Sequence, residues 1–186
     1  MTRALTLCIV LAACSRTAQS PAVRPLTAAD VANATLHTEY AESAATVTLT
    51  NGRYRSPDGD LQVMLLPPVV FGDLTGDTIP EAAAVLLSEP GGSGSFYDLV
   101  VVAATPSGPR QLAATFLGDR VDIESLMIVD RQILMQLVTQ GPADPMCCPS
   151  RREARTYALV GDSLALVGVP VLISNSAQAD TGGTRP

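Results

Sequence analysis

The sequence predicts a mainly β chain: a single antiparallel meander domain with one or two short helices. Two observations carry that expectation. Apolar runs of strand length recur at spacings of roughly 8–15 residues with no helical periodicity between them, and turn-forming residues stand at the joints. Composition agrees, because 47% hydrophobic against 16% charged residues in 186 allows one real core.

Thr27, followed by Ala28, Ala29 and Asp30, reads as an N-cap opening a short helix that ends near Asn33. Thr46 to Thr50 alternates and is β-branched, Asn51-Gly52 is a strong hairpin signal, and Arg53 to Arg55 is the expected return strand. Pro57-Asp58-Gly59 marks a further turn, followed by Leu61 to Leu66. The later runs are Glu81 to Leu87, Tyr97 to Ala104, Arg110 to Leu117, Val121 to Val129, Gln132 to Thr139, Arg155 to Val160 and Leu164 to Val169. The alanines of 82–84 suit a helix as well as a strand, and period alone does not decide so short a run.

The chain starts with Met-Thr-Arg, then an almost wholly apolar run from Ala4 to Ala13, then Cys14. A cationic start and an apolar stretch of about ten residues make a signal peptide, too short to span a bilayer. Leu11-Ala12-Ala13-Cys14 matches the bacterial lipobox, which predicts cleavage before Cys14 and lipid on its thiol. Lipid chains hold a protein on a membrane through about 0.8 kcal/mol per buried methylene. Ser15, not Asp, follows, which in a two-membrane host favours the outer membrane, facing the periplasm. The expected organisation is a signal over 1–13, lipidated Cys14 and a flexible linker over 14–27, the β domain over 28–169 and a disordered tail over 170–186.

Net charge is −6, and loss of Arg3 with the signal leaves eleven Arg against eighteen acidic residues, or about −7. That balance argues against nucleic acid, whose affinity comes from clustered basic residues. All twelve basic residues are Arg; the one basic cluster, Arg151-Arg152 with Arg155 nearby and Glu153 between, reads as a solvated turn.

Three segments invite chemistry. In the segment Phe71 to Glu81, side-chain oxygens of Asp73, Thr75, Asp77 and Glu81 and the Ile79 carbonyl have the spacing with which loop oxygens converge on calcium. The segment resembles the Asp-rich calcium loops of integrin-type and dockerin-type repeats over about ten residues. It departs from them at position six, where Thr78 replaces the left-handed Gly, and at position twelve, where Ala84 replaces a closing carboxylate. An acidic turn linking two strands is the competing reading.

In the segment Gly141 to Pro149, Cys147 and Cys148 are adjacent. Exported thiols usually oxidise, and adjacent Cα atoms lie about 3.8 Å apart, below the usual disulfide range of about 4.4–6.8 Å, so a bond there is expected to be strained and easily reduced. A vicinal disulfide, a reduced buried pair, intermolecular pairing and soft-metal binding with Met146 as third sulfur all fit the residues. Zinc is disfavoured because His37 is the one imidazole.

The third segment, Glu89 to Tyr97, is Gly- and Ser-rich but lacks the Gly two residues after Ser93 that a nucleophile elbow needs, and lacks the Lys of a phosphate loop. A hairpin loop is expected there. Asp119, Asp122 and Glu124 alternate as an ordinary solvated face.

Several stretches taken together carry a wider resemblance: Phe71-Gly-Asp-Leu-Thr-Gly-Asp77, Gly91 to Tyr97, Phe116 to Val121, Ser125 to Ile128, and Thr139-Gln-Gly-Pro-Ala-Asp-Pro-Met-Cys-Cys-Pro149. In this order they resemble a group of uncharacterised bacterial envelope proteins, often lipoproteins, over about residues 28–167. Relatives commonly carry Gly where Thr78 stands, which weakens any metal affinity inherited by analogy. The resemblance implies one domain and brings no activity. The leading expectation is therefore a non-enzymatic envelope module anchored through Cys14 that binds an envelope partner or supports the envelope. A calcium- or thiol-responsive binding module comes next, and a hydrolase a distant third. No catalytic residue and no certain cofactor is expected.

Overall fold

The computed structural model describes residues 23–39 and 46–174. The expected signal, Cys14 and the expected linker up to residue 22 lie outside the described residues, as do 40–45 and 175–186. The fold is mainly β, built from antiparallel sheets with one short helix.

The helix α1 spans Ala28–Val31, where Thr27 caps Asp30 N–H and the Asp30 carboxylate answers on Thr27 N–H, a complete capping box. Strand β1 (Thr35–His37) pairs with β2 (Thr46–Thr48), and with α1 they form an N-terminal layer. The Asn51-Gly52 turn closes with Thr50 and Arg53 bonded to each other, Asn51 and Gly52 both having positive φ. The expected hairpin nonetheless stops after that single bridge. β3 (Arg53–Arg55) leaves to pair with β4 (Gln62–Gly72), while Val47 and Leu49 are buried in the N-terminal layer. Burying those two side chains outweighs extending a two-stranded ribbon.

The first sheet has the order β3-β4-β5-β6-β7, with β5 at Glu81–Glu89, β6 at Phe96–Thr105 and β7 at Gly108–Asp119. The ambiguous alanine run is thus strand. The second sheet, order β11-β10-β9-β8, contains β8 (Asp122–Val129), β9 (Gln132–Thr139), β10 (Arg151–Val160) and β11 (Ser163–Leu166). Strand β12 (Val171–Leu172) pairs with the start of β10. Two residues expected in the tail are therefore sheet. At the other end Leu26, expected in the linker, packs on the core, so the folded region begins before residue 28 and continues past 169.

Alternation of side chains along a strand decides the layering. Ala83, Val85, Leu99 and Val101 face the second sheet and meet Ile133, Met135 and Leu137. Ala82, Ala84, Leu86, Val100 and Val102 face the opposite way and meet Val31, Leu36, Val47 and Leu49. The central strands are covered on both faces, which is why they read as continuous apolar runs. The three alanines keep both neighbouring layers close.

Candidate functional site

The acidic segment lies between β4 and β5. Asp73 spends both carboxylate oxygens on its own loop, accepting from Gly76 N–H at 2.6 Å and Thr78 N–H at 3.2 Å. Asp77 accepts from Ile79 N–H at 2.8 Å. Glu81, 2% exposed, turns inward and accepts from the N–H groups of Leu74 and Thr75 and from the Thr75 hydroxyl. Thr78 takes φ +73°, the left-handed turn that calcium loops give to Gly. Side chains of the segment thus satisfy five of its backbone N–H groups, and among the described residues no three His, Cys, Asp or Glu side chains gather as a metal-holding group.

The expected hairpin loop, Pro90 to Ser95, connects β5 and β6. It is tied to the end of β7, because Asp119 accepts from Ser95 N–H, and Arg120 donates to the Ser95 carbonyl through its N–H and to the Ser93 carbonyl through its guanidinium. Asp119 also pairs with the Arg120 guanidinium, and Glu124 takes a forked pair of bonds from Arg152 at 2.9 and 2.8 Å. These carboxylates are structural acceptors as well as a solvated face.

The most elaborate polar arrangement sits where β9 and β10 are joined. Arg151, Glu153, Arg155 and Tyr157 alternate down one face of β10, so the expected solvated turn is instead strand. Glu153, 2% exposed, is held between Arg151 at 2.9 Å and Arg155 at 2.6 Å. Arg155 also donates to the Leu117 carbonyl across the gap to the first sheet. Burial works against the Arg155 charge, and hydrogen bonds to Tyr157 and Glu153 more than offset it, leaving the guanidinium pKa raised. A cleft of about 320 Å³ opens here, lined by Asp119, Thr139, Gln140, Arg151, Glu153 and Arg155 among others.

From the rim of that cleft rises the cysteine loop, residues 140–150. Asp144 fastens its two ends, accepting from Gly141 N–H, Ser150 N–H and the Ser150 hydroxyl, each at 2.7 Å. The Ser150 and Gly141 bonds hold the Asp144 pKa below the ordinary carboxylate value. Gln140 donates from its side chain to the carbonyls of Asp144 and Pro145, and Cys148 N–H donates to the Pro145 carbonyl. Cys147 and Cys148 are bonded to each other and exposed.

A second, more apolar cavity of about 190 Å³ lies between the sheets, lined by Leu66, Pro67, Val85, Tyr97, Asp122 and Leu126 among others. Burial, with Asp122, Glu89 and Asp119 adding, pushes the Tyr97 hydroxyl pKa up.

Sequence reasoning missed the Glu153 pair of ion bridges and the Asp144 clasp. The first had a signal, charges at every second residue of a run that continues into Tyr157. The second had none stronger than an Asp between two Pro-flanked turns. Cys14 lies outside the described residues. Comparison of the chain with protein-family models, curated proteins and solved structures finds no match.

Proposed function

We propose that the chain is a membrane-tethered envelope module, held through lipid on Cys14, that binds another envelope protein and does not turn over a substrate. The observation that carries this reading is a strip of exposed apolar side chains on the end of β10, on β11 and β12, and on the connection between β11 and β12. Val160, Leu166, Val167, Val169, Val171 and Leu172 are all exposed, Val169 at 81%. Strands β11 and β12 run one after the other along the same side of β10. Among the described residues no strand pairs with their outer edge. An apolar strip along an open edge is the arrangement by which a partner adds a strand and buries its alternate side chains. The lipobox-like segment and the resemblance to envelope lipoproteins support an envelope location; among the described residues no helix is long and apolar enough to cross a membrane.

The test is site-specific photocrosslinking in intact cells with the crosslinker at Val169, and at Asp58 as control. One partner captured reproducibly from Val169 alone supports the reading. Equal or absent capture at the two positions rejects it. Cys14→Ala is expected to move the protein from the membrane fraction to the soluble fraction, and retention on the membrane would remove the anchor from the proposal.

A further inference from the structure

The bond between Cys147 and Cys148 is not what shapes its loop. Asp144 already joins Gly141 to Ser150, and Gln140 already holds the carbonyls of Asp144 and Pro145. A bridge between neighbours in sequence encloses no intervening residue, so it removes almost none of the unfolded chain's freedom, the usual source of disulfide stabilisation. Both cysteines are exposed, on a turn fixed independently of them. A bond of little structural use, presented to solvent on a rigid support, has the attributes of a reacting group.

We propose that Cys147–Cys148 is a thiol–disulfide exchange site whose co-reactant is a dithiol. A thiolate of the dithiol attacks one Sγ, a mixed disulfide forms, and the other Sγ leaves as thiolate and takes up a proton. The second thiol of the co-reactant loses its proton and attacks its own partner sulfur in the mixed disulfide, which releases the remaining cysteine. Two electrons and two protons pass to the protein, and the dithiol becomes a cyclic disulfide. The Asp144 clasp stays closed throughout and keeps the two thiols side by side for re-oxidation.

The experiment uses the full chain with Cys8→Ser and Cys14→Ser, so that the pair alone reports, with dithiothreitol as the probe. Thiols are counted by maleimide mass tagging, and the amide signals of Gly141 and Ser150 are followed by NMR. The expected result is two new thiols in the native protein at millimolar dithiothreitol, with both amide signals in place and re-oxidation on removing the reductant. Cys147→Ser with Cys148→Ser is expected to move the melting temperature by less than about 2 °C. A pair that tags only after denaturation, or whose reduction disperses the Gly141 and Ser150 signals, is a structural staple and overturns the proposal. Two free thiols in the aerated protein overturn it as well.

Discussion

At the scale of single residues, the described charges work mostly inside the molecule. Glu153 bridges two guanidinium groups, one of them the largely buried Arg155. Breaking a buried pair from one side typically costs about 3–5 kcal/mol. Glu153→Ala is therefore expected near that range by urea unfolding, and Arg151→Ala well below it, because Arg151 is 40% exposed. Thr78 shows the opposite situation. A β-branched residue at φ +73° carries strain of about 1–2 kcal/mol. Thr78→Gly is expected to raise stability by up to about 1 kcal/mol once the added freedom of the unfolded chain is subtracted. Because Asp73 and Glu81 are spent on loop N–H groups, millimolar calcium is expected to leave the melting temperature unchanged. A rise of roughly 5–10 °C that Asp77→Ala abolished would show instead that the loop opens to take the ion.

The pH dependence of the cysteine loop belongs to the same scale. Asp144 has its pKa lowered in the folded protein from the ordinary 3.8. A lowered carboxylate contributes fully above its unfolded value, and the contribution disappears as pH falls through the folded one. The clasp should thus hold from neutral pH down through the usual carboxylate range and release only below it. The Gly141 and Ser150 amide shifts, followed in an acid titration, read this directly, and Asp144→Asn should remove the titration.

At the scale of elements, most of the strands were legible because their side chains are apolar at strand length. Tyr97 to Ala104 and Gln132 to Thr139 needed nothing else, since β6 and β9 coincide with them to within a residue or two. Partnership was less legible than strand character. Asn51-Gly52 specified its turn, yet which sheet each arm joins depends on residues far along the chain, such as Gln111. The Gln111 amide both accepts from His37 N–H and donates to the His37 carbonyl, standing in for a strand neighbour of β1. Such a long-range fork has no local pattern. Nor was the close crossing of β4 and β8 visible, where a Cβ on Gly72 would sit 2.5 Å from Ile128 Cγ2. Gly72→Ala is expected to cost about 1–3 kcal/mol from overpacking. Part of that cost should return with Ile128→Ala in a double-mutant cycle.

At the scale of the whole molecule, the N-terminal layer and the second sheet share the first sheet as their common wall. Of the candidate site, the cysteines and the acidic loop were readable as motifs. Their settings were not, because burial of Glu81 and closure of the loop by Asp144 are tertiary facts. The same holds for the exposed strip along β11 and β12: its residues look like ordinary core in the sequence, and only the edge position leaves them uncovered.

The N-terminal layer also fixes how load would travel. A pull arriving from the N-terminal side meets the Arg24–Asp30 pair and the Thr27 cap first, then β1, which the Gln111 fork holds to the first sheet. Exposed ion pairs and a four-residue helix yield at low force, whereas the sandwich behind them is drawn across many ladder bonds at once. In single-molecule stretching the layer is expected to peel away first, as a small separate step. The two main sheets, the apolar strip and the cysteine loop would remain intact, so the N-terminal layer would act as a mechanical fuse with the strip and the loop behind the break.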